Sequence, residues 1–318
     1  MTAGQLLDRP LQGIGFMIAA FVTVAIGDAL AKLLITGLPI AQFVFLRSVA
    51  VLLLLTPVFA HAGGLRIFQT GRPGLHLARC TLNAVSLVFF FIALRQLELA
   101  TMFAIEFVGP LFMTALSVPL LGEKVGVHRW SAIAVGLAGA LVIITPSAEG
   151  IQVMALAATF ATFLWATSMV LVRKLSATES DATLLAYINT SLLIVGAIGA
   201  PFVWQPVQWR ELAMIAALAV TQVIGQWLML RAFRSAPVGV IAPFQYSGII
   251  WATLIGWWVW GDLPAVNVWV GAAILVASGL YVMWRERLRV TRPRRDSASA
   301  DSRDRSAPAA SRTGRHDA

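Results

Sequence analysis

The chain holds 318 residues, of which 58% are hydrophobic and only 12% charged, a balance that excludes a soluble globular protein. A net charge of +9 would suit a nucleic-acid partner, yet the basic residues gather in the C-terminal tail and in alternate loops, so the charge reports membrane topology and no nucleic acid is expected. The one cysteine, Cys80, excludes an intramolecular disulfide and any multi-cysteine metal site.

A hydrocarbon core of about 30 Å takes roughly 20 apolar helical residues to cross. Ten runs reach that length, at residues 12–33, 39–60, 74–95, 99–121, 129–146, 151–173, 182–204, 211–233, 237–260 and 264–284. The expected fold is an all-α integral membrane protein of ten transmembrane helices. Residues 1–11 precede the first span, which carries Asp28 and Lys32, lacks a convincing cleavage site, and is expected to stay in the mature chain. Ten Lys or Arg lie from Arg285 to Arg315, and ten more sit at the N-terminus or in alternate loops. Only Lys32, Arg95 and Arg210 fall at the opposite ends, with Arg47 inside a span, so both termini are expected in the cytoplasm. Residues 285–318 turn to Arg, Ser, Ala and Asp without apolar periodicity and are expected to form a disordered basic tail.

Charge near the centre of a spanning helix costs about 2.5–3.5 kcal/mol on insertion scales, so each instance requires a reason. Asp28, Lys32, Arg47 and Glu106 are such residues, all placed at similar depth by a rise of about 1.5 Å per residue. Asp28 and Lys32 stand four apart, acid first, the favoured orientation for an intrahelical pair. The four together are expected to form a neutralised or water-facing cluster, in which Glu106 or Asp28 is the candidate carrier of a coupling proton. Pro110 follows Glu106 at four residues and removes the N–H that would bond the Glu106 carbonyl. The helix is expected to bend there and to border a cavity, because irregular backbone at membrane depth survives where protein buries it or water lines it.

From Ala93 onward the chain repeats itself without a gap. Adding 139 to Arg95, Gly109, Thr114, Gly122, Val127 and Trp130 lands on Arg234, Gly248, Thr253, Gly261, Val266 and Trp269. Two five-helix repeats are expected, at residues 12–146 and 151–284. An odd number of spans per copy inverts the second relative to the first, a construction that sets a substrate site between the halves. The register pairs Glu106 with Gln245, Phe107 with Tyr246, and Asn83 with Gln222. Arg79, Asn83 and Ser86 make one polar stripe, and Gln222 and Gln226 repeat that face on the eighth span. The third, fourth, eighth and ninth spans are therefore expected to line a central cavity. Asn83, Glu106, Gln222, Gln226 and Gln245 would bind substrate there, with Tyr246, Trp165 and Trp251 as aromatic walls. Trp257, Trp258 and Trp260 read as an interfacial belt. GLAGA at 136–140 and the run from Gly271 to Gly279 suit close packing or lipid contact rather than the pathway.

The chain has no GxxxxGK[ST] loop, HExxH or GxSxG elbow, and its four histidines fall in loops or the tail, so no enzyme, cofactor or metal is expected. GDALAK at 27–32, FLRS at 45–48, GEKVG at 122–126 and RAFRSAPVGVIAPFQY at 231–246 resemble the drug/metabolite transporter superfamily, EamA-like branch, over residues 12–284. The resemblance implies two inverted EamA repeats in a bacterial inner membrane and a secondary carrier of small organic metabolites. The second repeat departs from the pattern with Gly261-Asp262 in place of Gly-Glu, where no consequence is expected. The stretches GDALAK and APFQYSGIIWATLIGW are similar to bacterial importers of riboflavin and of S-adenosylmethionine. Riboflavin uptake is the first expectation. S-adenosylmethionine uptake or efflux of amino acids, metabolites or drugs is the alternative, and a channel-like facilitator the other class. The expected mechanism is alternating access, one half rocking against the other, with a proton or counter-substrate as candidate coupling partner. One copy can hold the whole cavity, so a monomer suffices and a homodimer is not required.

Overall fold

The computed structural model describes residues 10–123, 126–144 and 149–291. The chain before Pro10, Lys124 of the GEKVG motif, the linker at 145–148 and the tail from residue 292 lie outside the described residues, as do the expectations for them.

The helices in chain order are α1 (Pro10–Gly37), α2 (Ile40–His61), α3 (Pro73–Leu94), α4 (Leu99–Glu106), α5 (Gly109–Leu121), α6 (Val127–Ile144), α7 (Glu149–Leu175), α8 (Asp181–Gly199), α9 (Trp209–Ser235), α10 (Val238–Ile241), α11 (Gly248–Trp260) and α12 (Val266–Thr291). Among the described residues nine stretches are long and apolar enough to span a membrane, α4 and α5 together making one of them. The protein is thus a multi-pass, all-helical membrane protein.

The fourth and ninth spans are broken rather than continuous. Phe107 and Val108 separate α4 from α5, whose first turn carries Pro110. The predicted ninth helix at 237–260 is instead α10, a 3-10 segment Ala242–Ser247 with Pro243 in its first turn, and then α11. Pro110 and Pro243 are not repeat counterparts, yet each removes a backbone donor where its span breaks. Both spans then end on a glycine in the left-handed region, Gly122 at φ 71° and Gly261 at φ 75°. A Cβ is penalised in that conformation, which is why the repeat keeps glycine at both C-termini.

At its other end the chain departs from expectation. Helix α12 continues past 284 to Thr291. The segment after Trp284, RERLRV, is made largely of good helix formers, and no proline intervenes before Pro293.

The repeats interdigitate. Helix α1 packs along α9, and its repeat equivalent α7 packs along α3; α2 lies on α8, α6 on α12, and α4 on α11. Each of these pairs takes one helix from each half. The α6–α12 crossing is close because Gly139 faces Ile274 and the Gly271 carbonyl, and no residue of α6 or α12 lines a cavity described below. The centre is α4: Leu99, Met102, Phe103 and Ile105 are fully buried, while Leu53, Leu77, Leu141 and Ile198 on outer faces are exposed, as a lipid-facing rim requires. Trp257 and Trp258 are exposed in keeping with a belt, but Trp260 turns inward, its ring 4.7 Å from the Lys32 ammonium.

Candidate substrate chambers

Polar positions expected to share one cavity are divided between two. The larger, about 410 Å³, sits between the broken α4–α5 span, α3, α7 and the 3-10 segment of the ninth span. Asn83, Glu106, Gln245, Tyr246 and Trp165 all line it. The break at Phe107 brings the end of α4 to this chamber, so the proline-directed bend and the Glu106 side chain coincide. Phe107 and its repeat counterpart Tyr246 meet edge to face, ring centroids 4.9 Å apart. Gly279 of α12 leaves the room in which the Tyr246 hydroxyl lies. Ser86, also at the wall, is fixed by donating to the Ala161 carbonyl at 2.7 Å, tying α3 to α7.

The smaller chamber, about 220 Å³, lies between α1, α2 and α9. Asp28, Arg47, Gln222 and Gln226 line it. Asp28 and Arg47 attract one another there, and the Arg47 guanidinium lies 5.8 Å from the Phe91 ring centroid. Among the described residues none donates to the buried Gln222 side-chain oxygen.

Several expectations are corrected by these positions. Asn83 and Gln222 belong to different chambers, because α9 meets the larger one only through Met229. The first and sixth spans also form walls, through Phe21 and Val24 of α1 and Thr162 and Trp165 of α7. Arg79 leaves the expected polar stripe: its guanidinium donates to the Leu184 carbonyl at 3.1 Å and is buried against α8. Trp251 lines neither chamber, and its buried indole N–H finds no acceptor among the described residues.

Of the four charges expected to cluster, Lys32 leaves, while Asp28 lies close enough to act on both Arg47 and Glu106. Lys32 does not pair with Asp28; it donates to the Leu97 carbonyl at 2.9 Å and lies 3.8 Å from Asp262. Asp28, four residues earlier, faces Arg47 instead, and Glu106 lies in the larger chamber. Asp262, the acid that stands where the repeat pattern has Glu, thus lies beside a buried lysine of the other repeat.

Val24 and Met229 were not singled out from sequence. A signal for both existed, since Val24 lies four residues before Asp28, and Gln222, Gln226 and Met229 follow i, i+4, i+7 spacing on one helix face.

Broken spans, inverted and interdigitated repeats, and polar side chains facing chambers inside the helix bundle are features found in membrane transporters. The chain belongs to the EamA-like transporter family, whose pattern matches residues 11–145 and again 152–284. It is therefore a transporter of the drug/metabolite superfamily. Among its relatives is a riboflavin transporter of Vibrio cholerae, 28% identical over 278 residues that cover 86% of this chain and 93% of the relative. A pseudopaline exporter of Pseudomonas aeruginosa is 28% identical over 85% of this chain and 96% of its own. An S-adenosylmethionine uptake transporter of Rickettsia felis is 25% identical over 90% and 97%. One solved crystal structure superposes with a TM-score of 0.59 at 17% identity, covering 89% of this chain and 99% of the other, which speaks to the fold alone.

Proposed function

We propose that this protein is an alternating-access carrier that takes up riboflavin across a bacterial inner membrane, with both termini in the cytoplasm. The observation that carries the reading is the larger chamber. Its about 410 Å³ falls within the ~300–1,000 Å³ typical of small-molecule sites. Trp165, Phe107 and Tyr246 offer flat faces, and Asn83, Glu106 and Gln245 offer few but well-spaced polar atoms. A planar, nearly neutral heterocycle suits such a lining: ring burial supplies affinity and the amides read its edge. The riboflavin transporter of Vibrio cholerae supports the same choice.

The moving bodies in this proposal are not the two sequence halves. Because α1 packs on α9 and α11, and α7 on α3, α4 and α5, each rocking unit mixes the repeats. The units meet where α4 lies on α11, beside the larger chamber.

A second reading, uptake of a cationic metabolite such as S-adenosylmethionine, has one observation in its favour: a carboxylate lines each chamber, Asp28 the smaller and Glu106 the larger. Uptake of radiolabelled riboflavin by an auxotroph expressing this chain at limiting vitamin separates the two. Saturable uptake competed by unlabelled riboflavin, and reduced in Asn83→Ala and Gln245→Ala, is the expected result. Absence of uptake from a protein shown to be inserted, with S-adenosylmethionine taken up instead, overturns it.

A further inference from the structure

The two chambers share only Val24 and Met229. These two side chains are therefore the partition between them. Valine is short and stiff, but methionine is unbranched, rotates about three bonds, and repacks at little cost. Met229 is thus the shared wall residue best able to turn aside.

The chambers differ in chemistry. The larger has aromatic walls and isolated polar atoms. The smaller is lined by an acid and a base, Asp28 and Arg47, together with Gln222 and Gln226. Thr23 and Thr221 border it too, their hydroxyl protons committed to the Ala19 and Leu218 carbonyls at 2.7 and 2.8 Å, which leaves oxygens free to accept. The buried Gln222 oxygen has no donor among the described residues. A net ion finds there one acid and one base rather than an excess of either. A chain of neutral hydroxyls, each both donor and acceptor, is matched well.

We infer that the smaller chamber is a second subsite, gated by Met229, that receives the neutral hydroxylated side chain of a substrate whose flat ring occupies the larger chamber. This rests on the proposed riboflavin reading and adds to it a specificity determinant on α1, α2 and α9, apart from the ring site.

The test compares riboflavin with lumiflavin, the same ring bearing a methyl group in place of the polyol. Inhibition of radiolabelled riboflavin uptake by each unlabelled compound is measured in wild type, Gln222→Leu and Gln226→Leu, normalised to inserted protein. Wild type is expected to prefer riboflavin. Each variant is expected to lose about tenfold in riboflavin affinity, the factor for one hydrogen bond of this kind, with lumiflavin inhibition unchanged. Constant lumiflavin inhibition also reports that the variants are folded. Met229→Ala, which opens the partition, is expected to keep or sharpen the preference for riboflavin. If wild type transports riboflavin but both glutamine variants retain its preference over lumiflavin, or lose both ligands equally, the second subsite is overturned and the ring site stands. If wild type shows no riboflavin uptake, both fall together.

Discussion

Lys32 of the first repeat lies 3.8 Å from Asp262 of the second, and Glu123, the repeat counterpart of Asp262, lies 3.1 Å from Arg173 of the second repeat. Two ion pairs therefore bridge the repeats, each just past the left-handed glycine that ends a broken span. Since α5 and α11 end on opposite membrane faces, one pair sits at each face.

The symmetric pairs are expected to differ in energy. Lys32 is 8% exposed and Asp262 37%, whereas Arg173 and Glu123 are 67% and 41% exposed. Water screens the second pair and the protein largely shields the first. Double-mutant cycles on thermal unfolding in detergent are expected to give a coupling of about 1–2 kcal/mol for Lys32–Asp262 and about 0–0.5 kcal/mol for Glu123–Arg173. High salt is expected to erase the second and leave most of the first. Equal couplings would contradict the difference in burial.

Glu98 stands beside the same lysine, in the connection before α4. Burial pushes its carboxyl above the usual range, and Asp262 adds to the rise, against the bond from the Thr101 hydroxyl at 3.3 Å and the charge of Lys32. A raised carboxyl pKa in the folded state means that ionised Glu98 costs stability at neutral pH. The cost disappears as pH falls through the folded value toward the unfolded one. Glu98→Gln is therefore expected to raise the melting midpoint at neutral pH and to match wild type in acid. A variant less stable at neutral pH would show that the charge is favourable after all.

The α6–α12 crossing predicts a stability effect without a transport effect. A Cβ at Gly271 would run into Ile143 and the Gly139 carbonyl, whereas one at Gly15 would meet nothing. Gly271→Ala is expected to cost about 1–3 kcal/mol through overpacking. Gly15→Ala is expected to be neutral or slightly stabilising, as alanine favours helix over glycine by about 1 kcal/mol. Neither helix position lines a chamber, so the KM of folded Gly271→Ala carrier should equal that of wild type.

Glu106 predicts a dissection of coupling. With Glu106 as the proton carrier, Glu106→Gln is expected to keep substrate exchange across a membrane without a pH gradient and to lose the acceleration that a gradient gives. Proteoliposomes loaded with substrate measure both. Gradient-driven uptake as fast as wild type would take the proton role away from Glu106.

Much of the architecture was legible in the linear chain because it rests on local rules. Ten apolar stretches mark crossings, Pro110 marks the break after Glu106, and the 139-residue register sets Gly122 beside Gly261 in role and Phe107 beside Tyr246 in space. The cavity positions of Asn83, Glu106 and Gln245 followed from polarity at membrane depth and from the repeat.

What only the tertiary structure decided is which neighbour each face meets. Helical spacing put Asp28 and Lys32 on adjoining parts of one surface and made them natural partners. The tertiary packing of α1 brought one toward Arg47 of α2 and the other to Asp262, just past the end of α11. The same holds for Arg79, drawn from its stripe to the Leu184 carbonyl of α8, and for Gln222, which lines the smaller chamber while Asn83 lines the larger. Periodicity along a chain determines the direction a side chain takes from its own helix axis. The partner at the end of that direction is set by how helices far apart in sequence cross, and the interdigitation of the two repeats fixes those crossings.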